Sequence, residues 1–145
     1  MATTSTGTDL ATRLRLGITR TARRLRQEAG TELSPTLAAA LATIARHGPL
    51  TPSELAERER VQRPTATKLL SRLEAPGLVV RTDDPTDRRS TLVAVSPAGV
   101  ALLAEVRTRK DAYLARRLRA LSAEDRATLR RATDILEAML DEDRA

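Results

Sequence analysis

The chain of 145 residues has no cysteine, no phenylalanine, no tryptophan and a single tyrosine, Tyr113. The missing thiols exclude a disulfide framework, thiolate metal sites and thiol-based sensing. One histidine, His47, excludes a histidine-rich metal site, and its position just before Gly48-Pro49 suits a helix end. With so few rings the core has to be built from Leu, Ala, Val and Ile. No apolar run approaches the roughly 18 residues that a membrane span needs. No glycine-rich phosphate loop and no metal-ligand spacing occurs. Met1 to Thr8 is rich in Thr and Ser without a basic-then-apolar pattern, so it reads as a disordered lead-in and not as a signal peptide. The expectations are a cytoplasmic protein, no enzyme, with no cofactor, no metal and no membrane.

What the chain does have is charge. Its net charge is +6 and its pI about 11.0, which suits a polyanionic partner without specifying one. The excess is spread as +3 over residues 1–33, +2 over 34–95 and +1 over 96–145, so the local pattern carries more information than the total.

That pattern is sharpest between Thr51 and Val95. Thr51-Pro52-Ser53-Glu54 has the form of a helix start, with Thr51 as cap, Pro52 in the first turn and Glu54 completing a capping box. Leu55 and Ala56 face inward, Glu57, Arg58 and Glu59 look solvated, and Val61 plugs the turn. A second helix starts near Pro64 and runs from Arg63 to Ala75, where Pro76 stops it. Ala66, Leu69, Leu70 and Leu73 fall on one buried stripe. Thr65, Lys68 and Arg72 fall on the opposite side, with Thr67 near the boundary. From Arg60 to Leu73 there are four basic residues and no acidic one, whereas the preceding helix has three glutamates. Such a contrast suits a face that meets phosphate. Gln62, Arg63, Thr65 and Lys68 lie at the helix start, the end that enters a DNA major groove in turn-joined helix pairs.

Two β-prone runs follow, Leu78-Val79-Val80 and Leu92-Val93-Ala94-Val95. The loop Asp83 to Ser90 between them is longer than a tight turn needs. Its Pro and Asp favour turning, and Arg88-Arg89 sit at its far side. Arginine gains from the potential of a narrow minor groove, and a nearby carboxylate can fix a guanidinium by paired hydrogen bonds. The clustered Asp83, Asp84 and Asp87 suit hairpin shaping better than acid–base chemistry.

The string Leu55-Ala56, Val61, Pro64-Thr65-Ala66-Thr67, Leu73-Glu74, Gly77-Leu78-Val79, Arg81, Asp84-Pro85-Thr86-Asp87-Arg88-Arg89, Val93 and Ser96-Pro97-Ala98-Gly99 resembles the multiple-antibiotic-resistance regulator (MarR) family over nearly the whole chain. Its most specific part is the Asp84-Pro85-Thr86-Asp87-Arg88-Arg89 wing followed by the strand exit Val93-Ala94-Val95-Ser96-Pro97-Ala98-Gly99. The resemblance implies a mainly α fold, a winged helix-turn-helix with a two-stranded β wing flanked by long N- and C-terminal dimerisation helices. It implies a homodimeric transcriptional regulator, usually a repressor, often released by a small anionic or phenolic effector. It places recognition-helix contacts to double-stranded DNA on Gln62, Arg63, Thr65, Thr67 and Lys68. Arg72 on the basic face and Arg88 and Arg89 in the wing join them, and Asp87 falls in the role that positions Arg89. One departure is Pro76, where the family often has a basic or polar residue.

The flanking segments read as helices. Thr8 to Ala29 carries Leu10, Leu14, Ile18 and Leu25 on one side, and Ser34-Pro35 starts a helix ending at Gly48-Pro49. Ser96-Pro97 starts a long helix to about Ala120, roughly 36 Å at 1.5 Å per residue. Ser122 caps a last helix with a stripe of Leu129, Ala132, Leu136, Met139 and Leu140. The expected division is a flexible lead-in over 1–8, a helical dimerisation region over 9–33 and 97–145, and a DNA-binding lobe over 34–96. The terminal helices could close as a bundle within one chain, or interlock with a second copy through Leu10, Leu14, Leu129, Leu136, Met139 and Leu140. A rival reading of the whole is a helical protein–protein interaction module whose winged helix no longer binds DNA. A sequence-neutral DNA-packaging protein is another.

Overall fold

A computed structural model describes residues 3–142. Six helices and one hairpin follow in the order α1 (Thr3–Ala29), α2 (Pro35–His47), α3 (Pro52–Glu59), α4 (Arg63–Glu74), β1 (Val79–Asp83), β2 (Thr91–Val95), α5 (Pro97–Arg119) and α6 (Ala123–Glu142). The fold class is the expected one, mostly helical with an antiparallel two-stranded wing.

The start of α1 differs from expectation. Residues 3–8, expected within a flexible lead-in, are helical, and residues 1 and 2 lie outside the described residues. Neither proline nor a second glycine interrupts this stretch, and Gly7 has open space around it. Thr and Ser cost a helix only a few tenths of a kcal/mol per residue, too little to stop it.

Most helix starts are set by side-chain caps. The Ser34 hydroxyl accepts from the Leu37 amide, and the Ser96 hydroxyl from the Gly99 amide. At Thr51 the capping box is complete: its Oγ1 accepts from the Glu54 amide at 3.2 Å, and its amide donates to Glu54 Oε2 at 2.8 Å. Between α3 and α4, Arg60 adopts the left-handed conformation (φ 53°) and Val61 donates to the Ala56 carbonyl at 2.9 Å. Val61 packs against the core, as a plug in the turn.

The core lies almost wholly in the lobe. Ala40, Leu41 and Ile44 of α2, Leu50, Leu55 and Ala56, the α4 stripe Ala66, Leu69, Leu70 and Leu73, then Leu78, Val79 and Val93 form one buried cluster. Leu102 and Leu103 of α5 lie against it, half-buried. The strands pair with Val79 opposite Val95, Arg81 opposite Val93 and Asp83 opposite Thr91. Both strands reach further toward the tip than the apolar runs suggested. Leu78, expected in the first strand, instead closes the turn after α4, its amide donating to the Leu73 carbonyl at 3.0 Å. Leu50 adds an isolated bridge to β2, exchanging backbone bonds of 2.9 and 2.7 Å with Val93.

The Ser-x-x-Gly motif after β2 has a packing reason. The Ser96 hydroxyl donates to the Gly77 carbonyl at 2.5 Å while capping α5. A Cβ on Gly99 would stand 2.2 Å from the Leu78 carbonyl oxygen, so only glycine lets α5 approach the hairpin base this closely.

The outer helices are a different kind of structure. α1 packs along α5, but α6 packs extensively against no other element. Among the described residues α6 has no buried side chain; Ala132 and Leu136 are half-buried. Leu129, Ile135, Met139 and Leu140 of α6 and Leu10, Leu14, Leu16 and Ile18 of α1 are exposed. The chain exposes 11049 Å2. A compact folded chain of 15.8 kDa would expose about 7300 Å2. The exposed apolar side chains of α1 and α6 contribute to that excess.

Candidate nucleic-acid interface

α4 buries its apolar stripe in the lobe, so its other side must face solvent. Arg63, Thr65, Thr67, Lys68 and Arg72 are all exposed there, as expected from their spacing. Gln62, the residue preceding the helix, is also exposed and forms no side-chain cap. The first-turn amides of α4 therefore stay open, the arrangement that binds a phosphate oxygen. The Thr67 hydroxyl donates back to the Arg63 carbonyl at 3.0 Å, which leaves its oxygen free to accept.

The wing tip is built from two consecutive Asx turns. Asp84 Oδ1 accepts from the Thr86 amide at 2.9 Å and the Thr86 hydroxyl at 2.7 Å. These bonds, the hydroxyl first, hold the Asp84 carboxyl below its ordinary value of 3.8. Asp87 Oδ1 accepts from the Arg89 amide at 2.9 Å, and the Asp87 carbonyl from the Ser90 amide at 3.0 Å. The Asp84 amide closes the loop onto the Ser90 carbonyl at 3.2 Å. Asp87 thus grips Arg89 through its backbone amide, in an Asx turn, and not through the guanidinium. The Arg88 and Arg89 guanidinium groups form no ion pair among the described residues, and neither do Arg63, Lys68 and Arg72.

Between helix and wing lies a polar groove lined by Thr51, Ser53, Arg63, Thr67, Arg81, Asp87 and Arg89. The structure thus brings Arg63 and Thr67 of the expected set together with Asp87 and Arg89. Arg81 also lines this groove and pairs with Glu74 at the end of α4. Its role was missed, though both residues stood in the family-like string; a carboxylate in the last turn of a helix, where the dipole disfavours it, was the available signal. Glu59, read as solvated, is half-buried and accepts from the Thr43 hydroxyl, tying α3 to α2.

The two rings of the chain lie elsewhere. Tyr113 sits between the Arg24 and Arg117 guanidinium groups, at 5.7 and 5.5 Å from its centroid. A hydrogen bond from Arg117, then the positive charges, favour its phenolate and lower its pKa. His47 closes α2. Neither lines the cavity of about 350 Å3 between α1, α2 and α5, whose walls are Arg23, Arg26, Lys110, Leu33, Pro35 and Val106 among others. Among the described residues no helix is long and apolar enough to cross a membrane.

Comparison with known proteins agrees with this geometry. The MarR family model matches residues 33–91. An uncharacterised helix-turn-helix-type transcriptional regulator of Mycobacterium bovis is 38% identical over 134 residues, covering 92% of this chain and 94% of that one. The repressor MdtR of Bacillus subtilis is 35% identical over 85 residues, 59% of this chain and 55% of its own. A crystal structure of a protein from Pseudomonas aeruginosa, assigned as a transcriptional regulator, superposes with a TM-score of 0.85 at 34% identity, covering 94% of this chain and 97% of that one. A regulator-like lobe, an open polar helix face and an arginine-tipped hairpin thus coincide with relatives matching over nearly the full length, and the chain belongs to the MarR family of DNA-binding, winged helix-turn-helix transcriptional regulators.

Proposed function

We propose that this regulator is a homodimeric repressor that reads a pseudo-palindromic operator. Each α4 enters a major groove through Gln62, Arg63, Thr65, Thr67 and Lys68, with Arg72 on the backbone. Each wing tip sets Arg88 and Arg89 in the flanking minor groove. The single observation that carries this reading is the co-facing of unpaired cations on α4 and the wing across one polar groove. The second copy covers the exposed apolar sides of α1 and α6, with Leu10, Leu14, Leu129, Leu136, Met139 and Leu140 as the contact stripe. Two-fold pairing then spaces two recognition helices by about one duplex turn, roughly 34 Å. Repression, the activity that the name of the Bacillus relative states, follows physically from occupying a promoter.

The experiment is selection of bound duplexes from a random pool by the full-length protein, then titration of the best binder against salt and bulk DNA. An inverted repeat, a steep salt slope and persistence under competitor support the reading. No enrichment at low salt supports the protein–protein module instead, and enrichment without sequence preference supports DNA packaging.

Effector control is assigned to the cavity between α1, α2 and α5. Arg23, Arg26 and Lys110 around an apolar floor suit an anionic aromatic molecule. A ligand there favours one spacing of lobe and arm over another, which shifts the dimer between DNA-competent and incompetent states. Aromatic monocarboxylates should release the selected duplex from the native protein and fail to release it from Arg26→Glu.

A further inference from the structure

We infer that Glu74 and Arg81 form a strap that sets the angle between the recognition helix and the wing, and so act as positioning residues for DNA reading. The inference rests on the placement of α4 and wing proposed above, and it adds two residues that the contact set does not include. Glu74 ends α4, and Arg81 lies on β1 two residues after the buried Val79, on the same face of the strand. The Arg81 Nε pairs with Glu74 Oε1, each side chain about a third exposed (34% and 32%).

The wing needs such a strap. Its base is fixed by Ser96, Gly99 and Val79. At the Arg81–Val93 rung the body holds it from two sides, through the Leu50–Val93 backbone bonds and through Glu74. Beyond that rung no side chain from Thr82 to Leu92 is buried. Everything from there to Arg88 and Arg89 is a cantilever whose direction is set by its last clamps. A carboxylate in the last turn of a helix opposes the helix dipole, so Glu74 does little for α4 alone. Among the described residues its charge is answered across the turn, by Arg81.

A strap and a direct phosphate contact by Arg81 give opposite signs at Glu74. If Arg81 bound phosphate by itself, Glu74→Gln would free it and raise the net charge, so DNA affinity would hold or rise. If the pair positions the wing, Glu74→Gln and Arg81→Ala should each weaken binding to the selected duplex by roughly two- to fivefold, the scale of an exposed ion pair. The swap Glu74→Arg with Arg81→Glu should then recover most of the loss. Hydroxyl-radical footprints of the full-length dimer supply the second readout: minor-groove protection by the wing fades in both single variants and returns in the swap, while major-groove protection stays. Thermal unfolding should move little in all three. Unchanged or tighter binding by Glu74→Gln, or a swap no better than the single variants, would overturn the strap. Native protein that gives no minor-groove protection overturns the wing placement itself, a separate failure.

Discussion

Arg89 carries the sharpest single-residue expectation. Its backbone is locked by Asp87 and its guanidinium forms no ion pair among the described residues, so in the proposed complex the loop backbone is ordered beforehand while the charge is free to bond DNA. Arg89→Ala should weaken operator binding by about 1–3 kcal/mol, measured by fluorescence anisotropy, with the fold and dimer intact. Asp87→Ala should weaken it too, through loss of the turn and not of a charge pair. Asp84 gives a pH test. Its folded pKa lies below the ordinary value, so its contribution to loop order is present above that ordinary value and is lost as pH falls through the folded one. Protection of the Thr86 amide, taken relative to its intrinsic exchange rate, should therefore fall in acid, and Asp84→Asn, which keeps an acceptor oxygen but no ionisable group, should flatten that dependence. Exchange at Thr86 that ignores pH beyond the intrinsic rate would reject the Asx turn as the wing's organiser.

Elements are held here by a few close approaches, and Gly99 is the tightest. Gly99→Ala drives a methyl into the Leu78 carbonyl, which as backbone cannot swing aside, and against the Val95 side chain. It should cost about 1–3 kcal/mol in urea unfolding, the range for overpacking a well-filled site. At this scale the sequence was most legible. The period of Ala66, Leu69, Leu70 and Leu73 made the buried side of α4 plain, and the Thr51 box and the serines before α2 and α5 marked helix starts that the structure keeps. What the pattern could not carry was contact between distant segments. Leu78 looks like a strand residue because it is branched and apolar, yet its backbone is consumed by α4 on one side and Ser96 on the other. Glu59 looks solvated by residue type, and only the nearness of Thr43 makes it half-buried. The resemblance implied that Asp87 positions Arg89; the structure shows Asp87 accepting from the Arg89 amide, and which atom is held depends on loop dihedrals that no spacing rule records.

The whole molecule is one packed lobe and two long arms. α5, with 23 residues, spans about 35 Å and links them. Arg109 fastens the arm's root, donating to the Ala29 carbonyl at 2.8 Å while paired with Glu105. Replacing Met139 and Leu140 together by Glu should yield a monomer by analytical ultracentrifugation and lose most operator affinity, since a single half-site remains. A charged pair that leaves the dimer intact would move the interface off α6. The stripe read from sequence named Leu129, Leu136, Met139 and Leu140; in the structure Leu136 is half-buried, and Ile135, which the stripe did not include, is exposed like Leu129, Met139 and Leu140. Because the buried cluster sits in the lobe, an arm has little of its own to hold it shut. If a second copy covers α6 as proposed, folding of α6 and capture of that copy are one event, and the melting temperature should climb with the logarithm of protein concentration. A freshly made subunit that has met no twin would offer its arm to proteases first, so scarcity itself would clear the regulator from the cell.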